Sequence, residues 1–132
     1  MIIVSDDRKI DAKQLASVFD RSTIHRPTGD LKRLQTMLDN SDILLTAWDG
    51  DKLVGVARAL TDFSYACYLS DLAVDADYQR QGIGRKLVDG VRRIIGPDVS
   101  LVLLAASGAM QYYPRIGFRH VDNAFTIARR PF

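Results

Sequence analysis

A single cysteine, Cys67, is all the chain has, so no disulfide can close within it. That is the composition of a protein made and kept in a reducing compartment, and the cytoplasm is the default expectation. With only two histidines besides, His25 and His120, distant from each other and from Cys67, no metal-ligand spacing exists and no metal is expected. Long apolar runs are also missing. The opening stretch, "MIIVSDDRKIDAKQL", turns charged after four residues, leaving neither the apolar core of a signal peptide nor a segment able to span a bilayer. A soluble protein without a membrane partner is expected. Nor does charge of one sign dominate: 18 basic residues face 16 acidic ones, for a net charge of +2. The two signs alternate, no aromatic-basic stripe emerges, and no nucleic-acid partner is expected. Repeats, linkers and low-complexity segments are absent. The 132 residues therefore read as a single domain over 1–132 with one sizeable core.

What is present begins with two helical periods. Ile10, Leu15, Val18 and Phe19 recur at near-helical spacing and predict a helix over about Ala12 to Asp20. Pro27 and Gly29 break the chain before Leu31, Leu34, Met37 and Leu38 repeat the period, with Asp30 as the expected N-cap. "ILLTAWDGDKLVGVARAL" then places two apolar, β-branched runs around Asp49-Gly50-Asp51, a hairpin signal. "YACYLSDLAV" follows as a third strand. Leu87, Val88, Val91, Ile94 and Ile95 lie on one face of a further helix, closed by Gly96-Pro97. "VSLVLLAA", Val99 to Ala106, is almost uniformly apolar, as in a strand covered on both faces. Strand, loop, helix and strand in that order predict a right-handed crossover between parallel neighbours. A short helix stopping near Gly117 and one or two closing strands in "FRHVDNAFTIARR" complete the expected order.

Between the third strand and the long helix stands "YQRQGIGRKLV", Tyr78 to Val88. Glycine is a poor helix starter by propensity, so the cluster of Gly82 and Gly84 asks for another reason. A loop entering a helix presents unpaired N–H groups at the positive end of the helix dipole, which makes it an anion site. Arg80, Arg85 and Lys86 add charge around it. The dinucleotide fingerprint fails, because Leu87 occupies the third glycine position and no carboxylate follows in Val99 to Leu104; the phosphate loop of nucleoside triphosphatases fails for want of its Gly-Lys-Ser/Thr ending.

The spacing that fits is Q/R-x-x-G-x-G/A, met by Gln79, Gly82 and Gly84 after "LAV" and before an amphipathic helix. In this the chain resembles the GNAT superfamily of acyl-coenzyme A-dependent N-acyltransferases. "AMQYYPRIGF" is similar to that family's second signature, through Ala109, Tyr113, Gly117 and Phe118. The resemblance runs from end to end and implies an α/β (α+β) fold. Its mixed, mostly antiparallel central sheet would carry a parallel βαβ crossover and helices on both faces.

By the same resemblance, acetyl-CoA is the co-substrate and an amine the acceptor. Main-chain groups of Leu72, Ala73 and Val74 would pair with the pantetheine arm as with an added strand, which fixes a flexible thioester before reaction. The pyrophosphate would lie on the N–H groups of Gln81, Gly82, Ile83, Gly84 and Arg85, with Gln79 and Arg80 at the mouth of the loop. Tyr113 holds the position of the general acid that protonates the departing thiolate. Asp71, just before "LAV", is the leading candidate for the base, acting directly or through water, its bland reading being a surface or ion-paired carboxylate. Tyr112 takes a packing position. Cys67 reads as a small buried residue rather than a nucleophile, since no histidine partner is at hand. Ala106 departs from the family, many members having asparagine there, and Ser107 is the candidate substitute. The expected activity is direct acetyl transfer to a primary amine in a ternary complex; the alternative is a non-catalytic acyl-CoA sensor or interaction module of the same fold. Exposed strand edges make a homodimer plausible.

Overall fold

The apolar runs on either side of Asp49-Gly50-Asp51 form the centre of the sheet. In the computed structural model, which describes residues 1–132, β2 (Ile43–Asp49) and β3 (Lys52–Thr61) pair antiparallel around a turn in which Gly50 takes a positive φ of 58°. β4 (Ala66–Val74) adds antiparallel to β3, and β5 (Ser100–Val102) adds parallel to β4. On the other side β2 pairs antiparallel with β1 (Ile2–Ser5), giving the order β1-β2-β3-β4-β5. β1 is a short strand, Ile-Ile-Val-Ser, that the sequence reading did not assign.

Both faces of the sheet are covered by helices. α1 (Ala12–Ser22) starts from a capping box between Asp11 and Gln14, and α2 (Leu31–Asp39) from the expected cap, the Asp30 side chain accepting from the Arg33 N–H. Leu15, Val18, Phe19 and Leu34 bury against Trp48, Leu53, Val56 and Ala73 on this face. On the opposite face α3 (Ile83–Ile95) lays Ile83, Leu87, Val88, Val91 and Ile95 onto Leu45, Val54, Ala57, Ala59 and Leu69. Each such fully buried aliphatic side chain contributes about 1.5–3 kcal/mol. Gly96 ends α3 at φ 80°, its N–H reaching the Arg92 carbonyl. α4 (Tyr112–Arg115) is a single turn stopped before Gly117 at φ 103°.

The mixed, mostly antiparallel sheet, the parallel β4-α3-β5 unit and the two helical layers are those expected. Two elements differ. Of the apolar stretch Val99 to Ala106, only Ser100–Val102 is strand, and Val102 and Leu104 are half exposed rather than covered. "FRHVDNAFTIARR" forms no strand: residues 119–132 run extended without a single backbone hydrogen bond. Both failures share a cause, because β5 keeps a neighbour on one side only and nothing within the chain seats the last segment beside it.

β4 also carries a bulge. The register passes from Arg58 opposite Asp71 to Ala59 opposite Leu69, leaving Ser70 as the extra residue. Bulges bend a strand and end its pairing with a neighbour. β5 accordingly follows β4 only through Ala66, Cys67 and Tyr68, and the two strands part before Ser70.

Candidate cofactor and active site

The parting of β4 and β5 leaves Leu72, Ala73 and Val74 with β3 on one side and no strand on the other. Their side chains are ordinary core: Ala73 is buried against α1, while Leu72 and Val74 pack toward α3. The open edge is therefore a property of their main chain. Part of it is already engaged, since Gln79 Nε2 donates to the Val74 carbonyl at 3.0 Å. Gln79 thereby ties the loop back to the strand that leads into it.

Past a single 3₁₀ turn (Ala76–Tyr78) the chain reaches Arg80 at φ 65° and Gly82 at φ 80°, the N-cap of α3. Gly82 offers no side chain to the first turn, so the N–H groups of Ile83, Gly84 and Arg85 keep the free donors of an uncapped helix end, at the positive end of its dipole. A diphosphate fits such donors, and Gln81, Arg80 and Arg85 stand exposed around them. The two glycines have different reasons. Gly82 has open space where a Cβ would point and is required by its positive φ. A Cβ at Gly84 would run into Tyr112 Oη.

That contact relocates Tyr112. The packing position expected for it is instead one in which its ring is partly exposed and its hydroxyl lies against the first turn of α3. Burial raises its phenol above the ordinary value, with Arg85 pulling the other way. Tyr113 is the more enclosed of the pair, its ring edge-on to Tyr112 at 5.2 Å and to Phe118 at 5.4 Å. Burial lifts the Tyr113 phenol, Tyr112 adds to the shift, and Arg26 opposes it. A phenol so placed keeps its proton across neutral pH, the state in which it can donate.

Asp71 lies within a cluster of two arginines. Its side chain is 1% exposed, and both carboxylate oxygens are taken: Oδ1 accepts from Arg26 Nε and Oδ2 from Arg58 Nε, each at 2.5 Å. This is the arrangement of an ion-paired carboxylate. Arg26 also donates to the carbonyl of the bulge residue Ser70 at 3.0 Å, and Arg58 to Ser70 Oγ at 3.0 Å. Arg26 thus fastens the α1–α2 connection to β4 beside Tyr113. Sequence reasoning passed over it, because only the fold brings residues 26, 58 and 71 together. A motif search could not see this; a cross-strand register placing Arg58 opposite Asp71 was the sole available hint.

The remaining candidates separate cleanly. Cys67 is buried in the core, and burial raises its thiol. His25 stacks on the C-terminal Phe132 at 4.4 Å, beside a depression lined by Asp20, Ile24, Arg26, Pro27 and Asp30. His120 lies exposed on the extended tail, and Ser107 is exposed at the start of a 3₁₀ turn.

A family model described as an acetyltransferase (GNAT) domain matches residues 10–128, and the chain belongs to that family. GCN5-related N-acetyltransferase 2, chloroplastic, from Arabidopsis thaliana is 30% identical over 139 residues, covering 89% of this chain and 53% of its own length. The chain spans about half the length of the first curated relatives it matches. Among solved structures, a GNAT family acetyltransferase from Streptococcus pneumoniae superposes with a TM-score of 0.76 at 23% identity, over 98% of this chain and 100% of that one. AAC(6')-Iy, in complex with the bisubstrate analogue CoA-S-monomethyl-acetylneamine, superposes at 0.73 with 13% identity over 99% of each chain. These likenesses are of fold. No helix of the chain is long and apolar enough to cross a membrane.

Proposed function

We propose that this chain is an acetyl-CoA-dependent N-acetyltransferase domain, acting on a primary amine by direct transfer. One observation carries the reading: the unpaired edge of Leu72–Val74 runs straight into the uncapped N-terminus of α3. The strand edge suits the amides of the pantetheine arm, and the helix end suits the diphosphate to which that arm is attached.

In the transfer, the amine nitrogen forms a bond to the thioester carbonyl carbon and the carbon–sulfur bond breaks. The thiolate takes the Tyr113 proton. By the cysteine model its conjugate acid has a pKa of about 8.5, within reach of a phenol as acid. The nitrogen loses its proton to solvent, since the oxygens of Asp71 are occupied, and solvent returns a proton to Tyr113. Backbone pairing holds the thioester in register and removes freedom before the reaction. The depression at the α1–α2 connection, between Asp20, Arg26 and Asp30, is the place we assign to the acceptor.

Isothermal titration of the chain with acetyl-CoA is expected to show binding, and a panel of amines with thiol detection to show turnover. Tyr113→Phe keeps the ring packed against Phe118 and is expected to bind acetyl-CoA unchanged while turnover falls by about 10²–10⁴. Undiminished turnover removes Tyr113 from the mechanism. Binding without thiol release from any amine favours the sensor reading.

A further inference from the structure

We infer that Arg26 is a positioning residue for the transfer: it clamps the connection that receives the amine onto the stretch of β4 that leads into the edge assigned to the cofactor arm. This rests on the acetyltransferase reading above, with the acceptor in the depression at the α1–α2 connection.

The first observation is the span of one side chain. Arg26 lines that depression, and its three guanidinium nitrogens bond in two directions. Nη1 donates to the carbonyl of His25 at 2.8 Å, within the connection itself. Nε donates to Asp71 Oδ1 at 2.5 Å and Nη2 to the Ser70 carbonyl at 3.0 Å, both on β4. Ser70 is the bulge residue beyond which β4 has no β5 neighbour, and the unpaired edge of Leu72–Val74 follows directly on Asp71. A carboxylate and a carbonyl side by side on one strand ask for a planar fork of donors, which a guanidinium has and an ammonium lacks. One residue thereby fixes the acceptor's floor against the strand on which the thioester would lie.

The second observation is the charge. Neither Arg26 nor Arg58 has an acidic partner other than Asp71. Arg58 already neutralises that carboxylate and holds Ser70 Oγ at 3.0 Å, so the second arginine leaves a surplus positive charge that pairing alone does not require. The surplus lies on the more open of the two, since the side chain of Arg26 is 30% exposed and that of Arg58 8%. Two groups act on the Tyr113 phenol: Tyr112, its neighbour in α4, and Arg26, from the α1–α2 connection. The surplus charge therefore borders the acceptor depression and bears on the proton donor, where it eases the departure of the proton.

Arg26→Lys and Arg26→Gln separate the two parts. Lysine keeps the charge and loses the fork; glutamine loses both. Asp71 keeps Arg58 in each, and far-UV circular dichroism is expected to be unchanged. In the amine panel kcat is expected to fall by about 10²-fold in both variants, the scale of a small misplacement of reacting groups. Acetyl-CoA titration should not change, because the bonds of Arg26 go to His25, Ser70 and Asp71 and none to the start of α3. Carbon-13 NMR of labelled tyrosine rings, with Tyr113→Phe assigning the signal, reads the phenol without any ligand. It is expected to titrate at higher pH in Arg26→Gln than in the wild type, and near the wild-type value in Arg26→Lys, a pattern that a merely structural residue would not produce. Wild-type kcat in Arg26→Lys overturns the clamp, and that variant decides it even where glutamine loosens the fold. An unmoved Tyr113 titration in Arg26→Gln overturns the part played by the charge. Absence of acetyl-CoA binding or of thiol release in the wild type is a different failure: it removes the acetyltransferase reading, and the clamp with it.

Discussion

Tyr113 and Asp71 illustrate how much a residue's neighbours decide its chemistry. With both Asp71 oxygens held by arginines, turnover is expected to rise with pH as the acceptor itself deprotonates. It should then fall only where Tyr113 loses its proton, above the ordinary phenol value of about 10, since burial raises it. A pH–rate profile checks this, and the alkaline fall should vanish in Tyr113→Phe. Asp71 also has a structural part, through its two ion pairs. Asp71→Ala leaves the nearly buried Arg58 and the adjoining Arg26 without their shared partner, and breaking such a buried cluster costs about 3–5 kcal/mol. Urea unfolding of the variant measures that loss. An unchanged midpoint refutes the structural role.

At the scale of elements, the join between β4 and α3 holds the site together. Gly82→Ala puts a side chain on a backbone at φ 80°, at a cost of about 1–2 kcal/mol, or forces the loop to a new path. The expected result is a lower melting temperature together with weaker acetyl-CoA binding in the same titration. The end of β4 is fixed from the other face. Asp75 accepts from Arg21 on α1, lies 3.9 Å from Lys52 Nζ, and receives the Asp77 N–H at 2.9 Å. Burial alone would raise its carboxyl, but the Asp77 N–H, Arg21 and Lys52 outweigh it and leave it below the usual range. A carboxylate depressed in the folded state contributes stability above its unfolded value of about 3.9, and that stability is lost as pH falls through the lower folded value. Arg21→Ala brings the folded value back up, so acid unfolding followed by circular dichroism should begin at higher pH than in the wild type.

For the whole molecule, the sheet has two edges, β1 and β5, while β2, β3 and β4 each have neighbours on both sides, down to the point where the Ser70 bulge turns β4 away from β5. Beyond it the main chain of Leu72 to Val74 is left without a strand neighbour on that side, the gap to which we assign the cofactor arm.

Much of this was legible before any coordinates. The helical periods, the Asp49-Gly50-Asp51 hairpin, the caps Asp30 and Gly96 and the glycine loop are short-range signals, set by φ, propensity and spacing within a few residues, and they determined the element order and the family. The sequence could not say that Arg26 and Arg58 would both close on Asp71, or that Tyr112 would turn its hydroxyl onto Gly84. Nor could it say that "AFTIA" would be left without a partner. Those are contacts between residues far apart in the chain. Strand register, the bulge and the packing of α4 against α3 decide them, and a strand's pairing depends on which edges the rest of the fold leaves open.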